Sequence, residues 1–400
     1  MTANRRSPRC GEAAPLRTSG FEAVSSSAGG RPGMMSPMDS TDRHAAVPSS
    51  GTCDPRFAPV ADAFAANLES EIGAAVLISV GGRVVVDLCG GWADSQSTRP
   101  WRADTVVDVF SIGKAFVALS VLTLGLDLDA PAWQDATLRE VLSHRAGHPA
   151  VRADVPPEAI YDWDWMVAAL EAQEPWWVPG TAHGYHVNTF GFLCGEIVRR
   201  ATGGPLSARF ARLAGDEAGV TFGASDTADV AEFVFDRGTE TPSDAEAAMS
   251  DARRHLLART YLNPPGLSGI GTVNSPAWRA AELPSTNCHA SARGVAAVLA
   301  RLPELLGEDT LEEATRPWSD GWDVVLDRRT RFGLGFQLTQ PDRPLGVGPR
   351  AYGHFGAGGQ LGFHDPDSDL VFAYVCNRCE GRRWQTERNR RLLDALATTL

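Results

Sequence analysis

Hydrophobic and polar positions follow two different periods along the chain. Short apolar, strand-like runs cover residues 74–80 and 83–88, and the Gly81-Gly82 pair between them predicts a β-hairpin. Further strand patterns cover residues 332–338, 352–355, 360–364 and 370–376. Helical spacing predicts helices over residues 57–68, 111–124, 137–143, 163–172, 188–201, 291–302 and 385–396. Since strands lie at both ends and helices between them, we predict an α+β fold with an antiparallel sheet, flanking terminal helices and an inserted helical region.

The first part of the chain shows neither the strand-like nor the helical spacing of hydrophobic residues. Residues 1–52 are rich in Ser, Gly, Pro, Arg and Ala, which predicts a disordered tail. Residues 53–400 are then a single two-lobed domain. Its α/β lobe comprises residues 53–105 and 325–400, and its helical lobe comprises residues 106–324.

The composition limits the kinds of binding partner and the cellular compartment that we expect for this protein. The net charge of −12 disfavours nucleic acid and anionic membranes as partners. The chain has no apolar run of about 18 residues and no apolar segment behind the N-terminal arginines, so we expect neither a membrane span nor a secretory signal. Seven scattered cysteines do not resemble a disulfide framework, which predicts a reduced, cytoplasmic protein.

The strongest chemical candidate is the pair Ser111 and Lys114 at the start of an apolar helical run. Residues three apart share one face of a helix, so the hydroxyl and the amine would lie side by side. A serine hydroxyl is a weak nucleophile until a base takes its proton, and a desolvated lysine can be that base. Lys114 is also the only lysine among the 37 basic residues. Arginine can replace lysine wherever charge alone is needed, but it does not deprotonate, which favours a catalytic role over coding bias.

Two other segments could complete an active site. Tyr185 stands in a glycine-flanked loop before a helix, where a phenol could relay the serine proton to a leaving group or could simply pack at the helix entrance. His354 begins a glycine-rich strand segment whose free N–H groups could form an oxyanion hole with the serine N–H. His354 itself could be a donor or a surface histidine.

Together these segments resemble the class C β-lactamase and penicillin-binding-protein superfamily, and in particular its esterase branch. The resemblance spans residues 55–395. It is carried by residues 110–115 (Phe-Ser-Ile-Gly-Lys-Ala), 142–147 (Leu-Ser-His-Arg-Ala-Gly), 176–191 around Tyr185, 263–265 with 278–279, 331–336 and 354–359. It implies a β-lactamase/transpeptidase-like fold with the active site between the two lobes.

The resemblance also implies roles for individual residues. Ser111 would be the nucleophile, and Lys114 and Tyr185 would share the general acid and base roles. The N–H groups of Ser111 and Ala357 would form the oxyanion hole. The substrate would be bound by His354, Phe355, Gly356, Val187 and Trp177. Trp176, Trp278 and Trp322 are further candidate pocket walls, although each could equally be a core residue.

The chain departs from the β-lactamases of this superfamily at the positions that bind the antibiotic. Val187 replaces an asparagine, and His354 and Phe355 replace the lysine and threonine of Lys-Thr-Gly. Fewer charge-assisted donors suit neutral esters better than carboxylate-bearing penicillins.

The sequence therefore predicts a serine carboxylesterase that acts on small esters through an acyl-enzyme. An acyltransferase that passes the acyl group to an amine or alcohol uses the same residues and stays open as an alternative. A β-lactamase or D-aminopeptidase is a weaker reading, and a ligand-binding sensor is the non-enzymatic one. We expect no metal and no organic cofactor, and the sequence does not indicate an oligomeric state.

Overall fold

The computed structural model describes residues 47–215, 219–224, 229–236, 250–379 and 385–400. The strands are β1 (Ser49–Cys53), β2 (Gly73–Val80), β3 (Arg83–Gly91), β4 (Val107–Asp108), β5 (Pro131–Trp133), β6 (Ala136–Thr137), β7 (Thr221–Phe222), β8 (Val234–Phe235), β9 (Cys288–Ala290), β10 (Ser319–Asp323), β11 (Arg328–Phe332), β12 (Gln337–Leu338), β13 (Tyr352–Phe355), β14 (Leu361–Asp365), β15 (Leu370–Cys376) and β16 (Arg378–Cys379). The helices are α1 (Ala58–Leu68), α2 (Gly113–Leu122), α3 (Leu138–Leu142), α4 (Trp163–Glu171), α5 (Thr189–Thr202), α6 (Leu206–Ala214), α7 (Asp251–Leu262), α8 (Pro276–Ala280), α9 (Ala292–Leu306), α10 (Glu308–Thr315) and α11 (Glu387–Ala397).

Among the described residues, nine strands form one antiparallel sheet in the order β1-β3-β2-β15-β14-β13-β12-β11-β10. Strands from the two ends of the chain meet where β2 pairs with β15, with Val76 opposite Tyr374. The predicted hairpin of β2 and β3 is present, and Gly81 and Gly82 have φ of 57° and 72°. Two consecutive residues with positive φ make the tight turn that glycine adopts without steric cost.

A separate hydrophobic cluster covers each face of the sheet. On one face, α1 and α11 pack against each other, and their apolar side chains form a cluster with alternate residues of β2, β14 and β15. On the other face, α9 packs against β14, β15 and β2, and α2 lies beyond it among the helices of the inserted region. The chain therefore has the predicted α+β architecture with terminal helices flanking the sheet.

Three predicted boundaries were wrong. Residues 1–46 of the predicted tail lie outside the described residues, but β1 belongs to the ordered domain because it pairs along β3 from Ser49–Gly90 to Cys53–Val86. β10 was predicted within the helical lobe but pairs with β11 at the edge of the sheet. The strand predicted over 332–338 is two strands, β11 and β12, because the chain turns at Gly335, which has a φ of 80°.

Candidate active site

Ser111 lies in a short 3₁₀ turn, Phe110–Ile112, that leads directly into α2. Phe110 has a φ of 48°, a left-handed conformation that costs a non-glycine residue about 1–3 kcal/mol. The Asp108 carboxylate offsets this strain by accepting a hydrogen bond from Phe110 N at 2.8 Å. The Phe110 ring also packs edge-on against Phe233, with centroids 4.8 Å apart. The backbone that presents Ser111 is therefore held in one conformation.

Lys114 stands one helical turn after the serine, as the Ser-x-x-Lys spacing predicted. Its Nζ donates to Ser111 Oγ at 3.0 Å and to the carbonyl oxygen of Ser285 at 2.9 Å. The side chain is fully buried, and this burial lowers the pKa of Lys114 well below its usual value. A neutral amine at hydrogen-bond distance from the hydroxyl has a free lone pair to accept the serine proton.

Tyr185 lies in the loop before α5 and converges on the same two residues. The Lys114 Nζ lies 5.0 Å from the centroid of the Tyr185 ring. Burial raises the pKa of Tyr185 well above its usual value, while its hydrogen bond with Ser111 acts in the opposite direction. The ring stacks on Phe332 with centroids 5.5 Å apart, and Val187 joins them in one small buried cluster. Tyr185 is thus a neutral phenol, able to donate a proton.

His354 is the fourth member of the group. Its Nδ1 donates to the carbonyl oxygen of Phe355 at 2.6 Å, which leaves Nε2 as the acceptor for the Tyr185 hydroxyl at 3.5 Å. Burial lowers the pKa of His354 to about 3, and the nearby Lys114 acts in the same direction. This imidazole is therefore neutral at physiological pH and bears no charge for a substrate carboxylate.

The glycine-rich turn after β13 packs closely against the segment that carries the serine. A Cβ on Gly356 would lie only 2.5 Å from the carbonyl oxygen of Val109. Gly356 N donates to Gln360 O at 2.8 Å, and the Gln360 side-chain amide donates to Asp108 O. These contacts bring Ala357 to the neighbourhood of Ser111. The oxyanion-hole role of their two N–H groups stays a prediction.

Two predicted substrate contacts were misplaced. Phe355 packs in the hydrophobic cluster on the α1 and α11 face, because successive side chains of β13 point to opposite faces and His354 occupies the site face. Trp177 lies behind the tyrosine loop, where its Nε1 donates to Arg145 O at 3.3 Å and its ring packs edge-on against His186 at 5.8 Å. Trp177 therefore supports the loop that carries Tyr185.

The other candidate tryptophans also have structural surroundings. Trp278 is fully buried and donates from Nε1 to Asp108 at 3.2 Å. Trp176 donates to Ala150 O at 2.9 Å. Trp322 on β10 is 57% exposed. The contacts of these three residues do not include Ser111 or Lys114.

Sequence reasoning missed two residues that hold the site together. Ser285 supplies the carbonyl oxygen for Lys114, and a backbone acceptor has no signal in a sequence. Asp323, at the end of β10, accepts from Tyr185 N at 3.0 Å and from the Thr330 hydroxyl at 3.1 Å. A single aspartate after an apolar-polar alternation does not reveal that it is 0% exposed. Asp323 contacts Tyr185 only because the chain folds back over the 138 positions that separate them.

No group of three or more His, Cys, Asp or Glu side chains in the described part of the chain is arranged to hold a metal ion. Within that same part, no helix is both long and apolar enough to cross a membrane.

Comparison with known proteins identifies relatives along most of the chain. The curated esterase/β-lactamase LipL of Mycobacterium tuberculosis is 29% identical over 362 residues, which cover 82% of this chain and 82% of LipL. A family VIII carboxylesterase of known structure is 33% identical, with a TM-score of 0.78 over 88% of this chain and 100% of the other. A penicillin-binding protein homologue from Caulobacter crescentus is 30% identical, with the same TM-score and the same coverage of both chains.

The shared fold is the β-lactamase/transpeptidase-like fold, with a large antiparallel sheet and a helical region beside it. The profile of the Beta-lactamase family matches residues 60–397, which include the serine, the lysine, the tyrosine and the glycine-rich turn. The chain therefore belongs to the β-lactamase family.

Proposed function

We propose that this protein is a serine hydrolase that cleaves small, neutral carboxylic esters through an acyl-enzyme on Ser111. The observation that carries the proposal is the convergence of Ser111, Lys114 and Tyr185, with the amine 3.0 Å from the hydroxyl and its pKa lowered by burial. The similarity to LipL, an esterase/β-lactamase, and to the family VIII carboxylesterase supports ester hydrolysis.

The mechanism follows from a neutral amine on Lys114 and a neutral phenol on Tyr185. Neutral Lys114 accepts the Ser111 proton while Oγ attacks the ester carbonyl carbon. The N–H groups of Ser111 and Ala357 stabilise the resulting oxyanion. Tyr185 donates its proton to the departing alkoxide and regains one from the Lys114 ammonium. Water then attacks the acyl-enzyme with the same groups acting in reverse order, which releases the acid and restores the serine.

The surroundings of the site favour neutral esters over penicillins. A neutral His354 stands where a lysine would bind a carboxylate, Val187 offers an apolar side chain in place of an amide, and Phe355 faces away from the site. Neutral His354 would not compensate the desolvation of a carboxylate bound beside it. We expect hydrolysis of the chromogenic β-lactam nitrocefin to be far slower than that of a short-chain ester.

The test is intact-protein mass spectrometry during reaction with p-nitrophenyl acetate or butyrate. Wild type should release nitrophenol and gain one acyl group transiently, whereas Ser111→Ala should do neither. Ser120→Ala is a matched control, because its hydroxyl on the same helix donates only to Phe116 O at 3.0 Å. Added amines or alcohols that trap the acyl group in preference to water would identify a transferase instead. A wild type that is neither labelled nor active would contradict the acyl-transfer mechanism and favour a ligand-binding protein.

A further inference from the structure

The glycine-rich turn is held from behind by the first turn of α11. Arg388 donates from Nη2 to Gly358 O at 2.8 Å and to Arg378 O at 3.0 Å. Asn389 donates from Nδ2 to the next carbonyl, Gly359 O, at 3.2 Å. Arg388 is only 2% exposed, and Asn389 is fully buried. Two consecutive carbonyls, immediately after Ala357, are thus held by two consecutive helical side chains.

Arg388 is itself fixed by a buried carboxylate. Its Nη1 lies 2.5 Å from Glu71 Oε2, and the other Glu71 oxygen accepts from the Tyr374 hydroxyl at 2.7 Å. Burial raises the pKa of Glu71 to about 7, and Arg388 acts against this rise. Above that pH the pair is ionised, and a buried arginine with a paired carboxylate keeps its planar fork in one orientation.

The turn needs such support because of its composition. Gly358 and Gly359 have φ of 83° and 100°, in a region where glycine moves between conformations at little cost. An oxyanion hole stabilises charge only if its N–H groups already point at the position of the oxyanion. Gly356 is anchored on the other side of Ala357 by its bond to Gln360 O. Ala357 therefore lies between two held backbone groups, the N–H of Gly356 and the carbonyl of Gly358.

We propose that Arg388, held in place by Glu71, is a positioning residue that orients the Ala357 N–H for oxyanion stabilisation. The inference rests on the proposed function, since it concerns the oxyanion hole of that reaction. By this proposal, α11 influences the chemical step although it lies on the face of the sheet opposite the helical lobe.

The test uses variants that separate this contact from the buried charge. Glu71→Gln combined with Arg388→Met removes both charges together and keeps a hydrogen-bond partner for Tyr374. Arg388→Lys keeps a cation beside Glu71 but lacks the fork that also reaches Gly358 O. Arg391→Met is the matched control, because this arginine on the same helix donates instead to Asn67 Oδ1 at 2.8 Å. All assays are run at pH 8, where Glu71 is ionised in wild type.

We expect the double variant and Arg388→Lys to lose kcat roughly 10- to 100-fold, less than the 10²–10³-fold typical of deleting one oxyanion donor. The KM should change little. An alkylboronic acid, which forms a tetrahedral anion on Ser111 Oγ, should bind more weakly by a similar factor, whereas Arg391→Met should match wild type. General destabilisation would not weaken boronate binding in parallel with kcat in protein that remains folded by circular dichroism.

A folded variant with wild-type kcat and boronate affinity would overturn the positioning role, and either variant suffices if the other does not fold. Failure of the proposed function would look different. In that case wild type itself would not hydrolyse esters, or Ser111→Ala would remain active.

Discussion

At the residue scale, the proposed chemistry depends on the burial of one lysine. Lys114 lies between the serine hydroxyl and a backbone carbonyl, and the nearby Cys194, His144 and His354 are neutral at physiological pH because burial shifts their pKa values. Without an ionised carboxylate beside it, the ammonium form gains little and the amine is favoured. Arginine could not replace it, which gives a physical reason for the single lysine of the chain.

From the burial of Lys114 we predict the activity and stability of the Lys114→Met variant. Methionine is neutral and has a side chain of similar length. Activity toward p-nitrophenyl butyrate should fall about 10²–10⁴-fold, because the general base is lost. Since the folded-state pKa of Lys114 lies below its unfolded value, the unfolded chain binds the extra proton, and the contribution of Lys114 to stability rises with pH up to about 10.5. Urea unfolding at pH 7 and pH 10 should show a smaller rise for Lys114→Met. An equal rise in both proteins would contradict a lowered pKa.

At the scale of elements, two segments from distant parts of the chain meet at the serine, and each is fixed by a specific contact. The tyrosine loop is anchored by β10 through Asp323. The glycine-rich turn is anchored by the strand before Ser111. Neither anchor touches the reacting atoms, so both affect activity through geometry alone.

Asp323→Asn tests the first anchor. The single amide oxygen cannot accept from Tyr185 N on one side and from Val325 N and Leu326 N on the other. The loop contact is therefore weakened, and we expect kcat to fall roughly 10- to 100-fold through displacement of the tyrosine. Asp320→Asn is the control, since this exposed residue on the same strand pairs only with surface arginines at 3.4 Å. Steady-state kinetics of the two variants, with melting temperatures, give the comparison. Equal kcat values would show that Asp323 stabilises the fold without placing Tyr185.

Gly356→Ala tests the second anchor. The added methyl would meet Val109 O at 2.5 Å, so the turn must move away from Ser111, and we expect kcat to fall about 10²-fold. Gly204→Ala adds the same methyl between α5 and α6, where no atom lies within 4 Å, and should keep wild-type kinetics. Full activity in Gly356→Ala would mean that the turn can shift without harm to the reaction.

At the scale of the whole molecule, the sheet separates the face that carries the proposed catalytic site from a structural face. His354 lies on the first and Phe355 on the second, although the two residues are adjacent in the chain. The helices α1 and α11 stabilise the sheet from the structural face. Through Arg388 and Asn389, α11 also reaches the turn at the edge of the site.

Phe355→Leu tests this division. We expect kcat/KM for p-nitrophenyl butyrate to stay within about threefold of wild type, because the side chain does not face the substrate. The free energy of unfolding should fall by about 1–1.5 kcal/mol, as for a conservative core substitution. His354→Ala should show the opposite pattern, with lower activity and a smaller loss of stability than a large core deletion causes. Altered substrate preference in Phe355→Leu would return this residue to the site.

The sequence alone determined the class of architecture and predicted which three residues come together at the candidate site. Hydrophobic period depends on local geometry, so the hairpin of β2 and β3 and the helices α1, α2, α5 and α11 could be predicted. The pairing of Ser111 with Lys114 follows from helix geometry over three residues. The proposed role of Tyr185 was predicted from its loop and from the order of family motifs.

The tertiary structure decided everything that depends on partners distant in sequence. Whether Phe355 or His354 faces the site depends on the pairing of β13 with its neighbours. All four residues of β13 are buried, so their sequence does not indicate which side of the strand faces the site. Asp323 and Ser285 contact Tyr185 and Lys114 across more than 100 residues of chain. Arg388 pairs with Glu71 across more than 300 residues. Such contacts are created by packing, and single residues of these types leave no local pattern by which to predict them.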